Sequence, residues 1–208
     1  MTSQIQVVNA ALRLIGTRRI TALDQSSVEA VEAEDAWDRT LDATLRAHPW
    51  NFAMKRTSIA PHGEAPSWGF STAYAIPSDC LRVWALKDVS WRDWSVERHG
   101  TAPDEVTAIL ANTTGALYIS YISNVDDVSK WDALAIRVLE CNLALALSKK
   151  ITTSNPDVQQ IYELRTQALR EAKQADAVEN PPMDTGVDDF ILARGDGGAG
   201  WRGPGFVS

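Results

Sequence analysis

Histidines are the residues of this chain best suited to binding a metal or moving a proton near neutral pH. His48, His62 and His99 fall at a predicted helix end, in a loop and at a strand end. Neither cysteine nor carboxylate accompanies them at the spacing of a metal-ligand set. A helix end explains His48 sufficiently, because an imidazolium there would meet the negative end of the helix dipole. The sequence therefore predicts no metal site.

The adjacent carboxylates Asp126 and Asp127 are a second candidate for chemistry, since a carboxylate pair can act as acid and base on a glycosidic bond. They precede a predicted helix, where aspartate more commonly caps backbone N–H groups. Ser78 and Asp79 have the composition of a turn. The chain contains no glycine-rich phosphate loop and no nucleophile elbow. We therefore expect no catalytic residue, no cofactor and no enzyme activity.

The two cysteines, Cys80 and Cys141, fall at a turn and in an apolar helical pattern. They form neither a disulfide framework nor a metal-ligand spacing, which favours a reducing compartment. The first residues lead directly into an amphipathic helix, and no stretch approaches the roughly 18 apolar residues of a membrane span. We expect a soluble protein that has no signal peptide and no membrane contact.

The charge balance bears on nucleic acid as a partner. The net charge is −7, from 27 acidic and 20 basic residues, and no three basic residues are consecutive. Nonspecific binding to phosphates needs clustered Lys and Arg that release counterions. The composition thus argues against tight binding of nucleic acid.

Helical patterns begin the chain. Ser3 is placed to cap a first helix that ends at Gly16, and Ser26 or Ser27 is placed to cap a second helix that runs to about Ala47. The apolar positions expected on the second helix are Val28, Val31, Trp37, Leu41 and Leu45, with Ala30 or Ala33 filling the stripe.

From residue 51 to about 122, β-branched and aromatic residues alternate with polar ones between clusters of turn formers. The pattern predicts strands at residues 52–58, 72–76, 81–87, 91–98, 106–110 and 116–123. The turn at 112–115 predicts a hairpin of the last two strands, and the turn at 88–90 predicts a hairpin of the third and fourth. We expect the strands to form one small antiparallel sheet.

Helical periodicity returns over residues 130–151, with apolar residues on two faces that predict a buried helix, and again over 156–178. We therefore predict an α+β fold with a four-helix core, an inserted small antiparallel β-sheet subdomain and an extended C-terminal tail. Residues 1–50 and 126–180 supply the core helices in this prediction, and residues 51–125 supply the β insertion.

The predicted tail, residues 181–208, is rich in glycine and has little helical or strand pattern. Isolated apolar residues interrupt it, and these suit anchors in the pockets of a partner. The candidate anchors are Phe190, Ile191, Leu192, Trp201 and Phe206. A tail that is merely disordered stays the alternative.

Two runs of aromatic and proline residues, at 48–53 and 74–83, have the character of structural corners without a catalytic signature. The residues that we expect to build these corners are Pro49, Trp50, Phe52, Tyr74, Pro77, Asp79 and Arg82. The chain also holds eight Trp against four Phe and four Tyr, and Trp is enriched at contact surfaces. These features favour assembly over chemistry as the function.

Several runs carry a family resemblance through their order and spacing. They are Leu14-Ile15-Gly16, Ile20-Thr21-Ala22-Leu23-Asp24, His48-Pro49-Trp50-Asn51-Phe52-Ala53-Met54-Lys55-Arg56, Tyr74-Ala75-Ile76-Pro77-Ser78-Asp79-Cys80-Leu81-Arg82-Val83, Tyr118-Ile119-Ser120-Tyr121-Ile122, Trp131-Asp132 and Leu143-Ala144-Leu145-Ala146. From about residue 3 to 178, the chain resembles the tail tubular protein A, or head-to-tail adaptor (connector), family of short-tailed bacteriophages.

The resemblance implies a structural virion protein, assembled in the host cytoplasm and located at the head-tail interface. It implies a ring of twelve identical subunits that joins the portal protein to the tail nozzle, with tail fibres as a further partner. Double-stranded DNA would pass through the lumen without specific binding. The acidic composition fits that role, because a channel that lets DNA slide should not attract phosphates.

The resemblance also bears on which residues contact partners. Trp91 and Trp94 are our candidates for contacts with the nozzle or fibres, although Trp84, Trp91 and Trp94 could instead bury one face of the sheet. The tail anchors are the candidates for portal contacts, on the general precedent of carboxyl-terminal arms in the family.

Two other functions stay open. One is the related adaptor of a long-tailed phage or of a gene transfer particle, whose helical architecture and ring assembly are similar. The other is a tail protein that hydrolyses peptidoglycan with recruited Glu or Asp residues, for which no cleft signature is present in the sequence.

Overall fold

The computed structural model describes residues 2–90, 92–101, 103–151 and 158–179. Within these residues the chain forms four α-helices and two small antiparallel sheets, which is a mixed α+β fold. The helices are α1 (Gln4–Leu14), α2 (Val28–Arg46), α3 (Ala133–Ile151) and α4 (Val158–Glu179). The strands are β1 (Met54–Ile59), β2 (Thr72–Ala75), β3 (Cys80–Leu86), β4 (Trp94–His99), β5 (Val106–Ala111) and β6 (Leu117–Ser123).

Helix α1 begins and ends as its sequence predicts. The Ser3 N–H donates to the Gln6 side chain at 2.9 Å, which is half of a capping box. At the other end Gly16 adopts φ of +71°, a conformation that favours glycine. The Thr17 N–H then donates to the carbonyl of Leu12 at 3.1 Å, as in a Schellman motif.

Helix α2 is capped by Ser27, whose hydroxyl accepts from the Ala30 N–H at 3.3 Å. The expected apolar stripe is wrong at two positions, since Val28 and Val31 are exposed. Ala30 and Ala33 occupy the buried positions instead. The small alanine side chains let α2 approach its neighbours closely, and this leaves two apolar side chains on the outer surface.

Helix α3 is the central helix, in contact with α1, α2 and α4. Its buried side chains lie on more than one face, as its sequence predicts. Buried residues of all four helices belong to one hydrophobic cluster, which also includes Trp50, Ile122 and Trp131 from the segments that enter and leave the β region. This cluster therefore joins the helices to the strands.

The strands do not pair as expected. They form two three-stranded sheets, in the orders β1-β6-β3 and β2-β5-β4, instead of one sheet. Neither expected hairpin forms: β6 pairs with β1 and β3, whereas β5 pairs with β2 and β4. The chain therefore crosses from one sheet to the other four times, and among consecutive strands only β4 and β5 lie in the same sheet.

Specific contacts hold the crossing between β5 and β6 in place. The Tyr74 hydroxyl lies 2.9 Å from the Thr113 hydroxyl and donates to the Gly115 carbonyl at 3.1 Å. Gly115 has φ of +81°, which lets the turn leave the plane of the β5 sheet. An apolar cluster between the two sheets makes this crossing favourable, because it buries side chains from both. Its members are Tyr74, Leu86, Ile109, Ala111, Leu117, Ile119 and Tyr121.

Candidate interaction surfaces

The corner after α2 is built around a fully buried tryptophan. Trp50 is 1% exposed, and its Nε1 donates to the carbonyl of Thr44 in the last turns of α2 at 2.9 Å. Half-buried His48 packs edge-on against it at 4.8 Å, and Phe52 stacks on it at 6.0 Å. Pro49, which lies between His48 and Trp50 in the sequence, is half-buried. The corner thus fixes the direction in which the chain leaves α2 for β1.

Asp176 of α4 fastens this corner to the last helix. Its Oδ2 lies 3.0 Å from His48 Nε2, and its Oδ1 accepts from the Asn51 N–H at 2.9 Å. The Asn51 side-chain amide donates in turn to the Asp176 carbonyl at 2.9 Å. We call these three residues the corner latch. It joins the α2–β1 connection to the end of α4 by contacts that no local sequence pattern indicates.

A second polar connection crosses the helices. The Asn142 side chain of α3 donates to the Thr44 hydroxyl at 2.8 Å, and its Oδ1 accepts from Arg165 Nε of α4 at 3.1 Å. Because Thr44 also accepts from Trp50, the side chain of Asn142 links α4, α3 and α2 to the corner. An open groove of about 590 Å³ lies beside the Asn142 side chain. Residues of α2, α3 and α4 line this groove: Ala36, Arg39, Thr40, Ala43, Asn142, Leu145, Ala146, Tyr162 and Arg165.

The second predicted corner centres on Asp79, before β3. Lys55 Nζ lies 2.7 Å from its Oδ2, and the Tyr121 hydroxyl donates to its Oδ1 at 3.1 Å. The Asn124 N–H donates to the Asp79 carbonyl at 2.7 Å. Asp79 therefore connects the 77–80 turn with β1 and β6.

The electrostatics of this corner follow from these contacts. The hydrogen bond from Lys55, helped by that from Tyr121, lowers the pKa of Asp79 below its usual value. Burial, with the Asp79 carboxylate beside it, raises the pKa of Tyr121 to about 12. Nearby, the Cys80 N–H donates to the Pro77 carbonyl at 3.0 Å and completes the turn. These shifts belong to an ion-pair cluster that joins the turn to the neighbouring strands, which is a structural cause of shifted pKa values.

The candidate catalytic residues occupy structural positions. Asp127 accepts from the Ser129 N–H at 3.0 Å, and the hydrogen bonds from Ser129 lower the pKa of Asp127. His99 contacts the ring of His62 at 5.5 Å, and its Nε2 lies 2.9 Å from the Glu64 carbonyl. Among the residues that the structure describes, no group of three His, Cys, Asp or Glu side chains could hold a metal ion.

The cysteines are free thiols, Cys80 half-buried and Cys141 buried. Burial raises the pKa of each thiol. Raised pKa values disfavour the thiolate, so neither cysteine has the activated character of a nucleophile.

Several predicted contact residues lie outside the described part of the chain. These are Trp91 and the five tail residues Phe190, Ile191, Leu192, Trp201 and Phe206. Trp94 is described, and it is half-buried against the cluster between the sheets. Trp68 in the β1–β2 loop, 87% exposed, and Trp84 on β3 are the exposed tryptophans that the sequence did not single out as contacts. Only the folded structure, and no sequence pattern, distinguishes these two exposed tryptophans from the buried tryptophans.

One face of the β1-β6-β3 sheet collects basic and aromatic side chains. On β6, Tyr118 and Ser120 point away from the apolar cluster. Arg56 of β1 is paired with Ser120 and therefore lies on the same face. On β3, the Arg82 guanidinium lies 5.5 Å from the centre of the Trp84 ring, and Lys87 Nζ lies 5.5 Å from the centre of the Tyr118 ring. We call Arg56, Arg82, Trp84, Lys87 and Tyr118 the basic sheet face.

A contrasting stripe runs along α2. Val28, Val31, Asp35, Asp38 and Asp42 follow one another at intervals of three or four residues and so share one side of the helix. Burial raises the pKa of Asp42, and the carboxylates of Asp38 and Asp126 raise it further. We call these five residues the acidic helix stripe. Its end lies beside β3, where Arg46 donates to the Leu81 carbonyl.

In the described ranges, none of the helices has both the length and the apolar character needed to cross a membrane. The chain matches no protein-family model, and no curated protein is similar enough to it to count as a match.

Proposed function

We propose that this protein is a structural head-to-tail adaptor of a bacteriophage virion, which forms a ring between the portal and the tail nozzle. The observation that carries the proposal is where the family-like runs lie in the fold. The run at residues 48–56 forms the joint between α2 and β1, the run at 74–83 forms β2 and the turn into β3, and the run at 118–122 lies in the central strand β6. Residues at the joints between helices and strands determine how these elements are arranged. This arrangement is the feature that members of a fold family share.

The geometry also supports a protein that acts by binding partners through its surfaces. The titratable clusters described above are engaged in caps, corners and latches, while apolar and charged side chains are left on outer faces. In the proposed organisation, residues 1–50 and 126–180 make a four-helix core, residues 51–125 make the β insertion, and residues 181–208 make an extended arm.

The partners follow from this organisation. The arm docks on the portal through Phe190, Ile191, Leu192, Trp201 and Phe206. The β insertion contacts the nozzle or the fibres, with Trp91 and Trp94 as the first candidates and exposed Trp68 as a further one. Twelve copies surround a lumen through which double-stranded DNA passes without specific binding, in a virion assembled in the host cytoplasm.

Mass measurement tests the proposal most directly. The purified protein is measured alone and after mixing with the portal of its own particle. We expect the mixture to give a complex whose mass corresponds to a ring of adaptor subunits on the portal ring. A mixture in which the two proteins stay separate at all concentrations tested would refute the proposal.

The choice between a short-tailed phage and the related particles depends on the neighbour. The adaptor of a long-tailed phage or of a gene transfer particle would copurify with a different tail component, and negative-stain images would show its symmetry. A zymogram on the purified protein tests peptidoglycan hydrolysis. We expect it to be blank, because Asp127 is engaged in capping.

A further inference from the structure

The folded surface separates charges that are mixed in the sequence. Arg56, Arg82 and Lys87 come from β1, β3 and the residue after β3, and pairing with β6 brings them to one face. No acidic residue lies among the outward-pointing positions of these three strands, in a chain with 27 acidic residues. Lys87 Nζ lies 4.0 Å from Asp88 Oδ2 in the following turn, whereas within the described residues neither Arg56 nor Arg82 forms an ion pair. Their guanidinium groups are therefore free to meet a carboxylate of another molecule.

The same face is partly apolar. Trp84 is 45% exposed and Tyr118 is 56% exposed, each beside a cation of its own chain. Aromatic rings and arginines together are typical of the buried centres of protein interfaces. Covering these rings would remove apolar surface from water, which favours association by about 25 cal/mol for each Å² buried.

The acidic helix stripe is complementary to this face in both respects. Val28 is 63% exposed and Val31 is 50% exposed, so the stripe has an apolar end. Asp35, Asp38 and Asp42 form no ion pair within the described residues. The stripe is about 21 Å long at 1.5 Å per residue, and the seven residues of β3 span about 20 Å, six steps of about 3.3 Å.

We propose that the basic sheet face of one copy binds the acidic helix stripe of the next copy. The two faces differ, so the contact is heterologous and each subunit offers both halves of it. The inference rests on the proposed function only for the closure of this contact into a ring. Nucleic acid is the less suitable occupant, because it would leave the exposed valines uncovered and would meet a chain of net charge −7. A contact between two copies covers the basic sheet face of one copy and the acidic helix stripe of the other.

Complementary charge reversals in the full-length chain test the contact. The sheet variant carries Arg56→Glu and Arg82→Glu, and the helix variant carries Asp35→Lys and Asp38→Lys. All four side chains are exposed, and circular dichroism checks that each variant keeps the fold. Sedimentation equilibrium then measures self-association of the wild type, of each variant, of their equimolar mixture, and of a chain with all four changes.

We expect each variant alone to associate at least tenfold more weakly than the wild type, because both of its faces then carry the same charge. The equimolar mixture should associate again, since each variant offers the face that the other needs. The chain with all four changes should also recover. The chain with all four changes has the wild-type net charge of −7, because its two Arg→Glu and two Asp→Lys changes cancel. The equimolar mixture is therefore the sample whose recovery a general change in net charge or stability does not predict.

Matched controls carry the same charge changes elsewhere. Arg18→Glu with Arg19→Glu matches the sheet variant, and Asp24→Lys with Asp104→Lys matches the helix variant; all four positions are exposed. Both controls should associate like the wild type. The inference is overturned if the reversals have no effect, if the mixture does not recover, or if the wild type stays monomeric at about 1 mM.

A labelled single-stranded oligonucleotide examines the other occupant by fluorescence anisotropy. Binding that the sheet variant loses, with unchanged self-association, would assign the face to nucleic acid and overturn the inference. None of these outcomes decides the proposed adaptor function, because that depends on the mass of the wild-type protein mixed with the portal.

Discussion

The Asp176 carboxylate of α4 lies 3.0 Å from Nε2 of His48, a residue 128 positions earlier in the chain. The same carboxylate accepts from the Asn51 N–H, so both sides of buried Trp50 are held by the last helix. The end of α4 and the start of the β region are thus parts of one joint.

Substitution of Asp176 by alanine should loosen the joint. The Asn51 N–H loses its acceptor in a half-buried site, so we expect the free energy of unfolding to fall by about 1–3 kcal/mol. Urea denaturation followed by circular dichroism measures this. Glu179→Ala in the last turn of the same helix removes an exposed carboxylate and serves as the control. Equal stability of the two variants would contradict a structural role for the corner latch.

Substitution of Trp50 by alanine should be more damaging. Trp50 is 1% exposed, and truncation of a large buried aromatic costs roughly 3–5 kcal/mol. Trp68→Ala is the matched control, because Trp68 is 87% exposed and should change stability by less than about 0.5 kcal/mol. Thermal unfolding of both variants distinguishes them. If Trp50→Ala were as stable as the wild type and yet failed to assemble, the corner would belong to an interface.

The helices were predictable because their signals are local. Ser3, Gly16 and Ser27 mark helix ends through bonds that span only a few residues, and each acts as its position indicates. The buried stripe of α2 was predicted less well. Hydrophobicity alone favours Val28 and Val31 over alanine, whereas close packing between helices selects the smaller Ala30 and Ala33.

The strand pairing could not be predicted from local turns. A short turn between β5 and β6 permits a hairpin, but Ile109 and Ile119 are both buried in the cluster between the two sheets, which requires the strands to separate. The basic sheet face escaped prediction for the same reason. Arg56 and Arg82 become neighbours only after both β1 and β3 pair with β6. The corner latch likewise depends on contacts between distant parts of the chain.

The Asp79 and Tyr121 pair should give stability a distinct dependence on pH. The folded pKa of Asp79 is lowered, so its contribution is complete above the unfolded value of 3.8 and is lost as pH falls through the folded value. The pKa of Tyr121 is raised from 10.0 to about 12, so its contribution is complete below pH 10 and is lost as pH rises toward 12.

Absorbance at alkaline pH measures the tyrosine directly. We expect one tyrosine to ionise about two pH units later than the usual value, and this late step should be absent from Tyr121→Phe. Asp79→Asn should move the step toward lower pH, because the neighbouring negative charge is removed. Tyr118→Phe is the control, since Tyr118 is exposed on the opposite face of the same strand. A late step that persists in Tyr121→Phe would contradict the assignment.

Deletion of residues 183–208 should separate folding from portal binding. The hydrophobic cluster that joins the helices and the corner latch lie entirely within residues 2–179, so the truncated protein should unfold at the same temperature as the full chain. The proposed arm is lost, and the truncated protein should no longer join portal rings. A full-length variant with alanine at Phe190, Ile191, Leu192, Trp201 and Phe206 should show the same loss, which assigns it to the apolar side chains and not to chain length. Unaltered portal binding by the truncated protein would show that another surface docks on the portal.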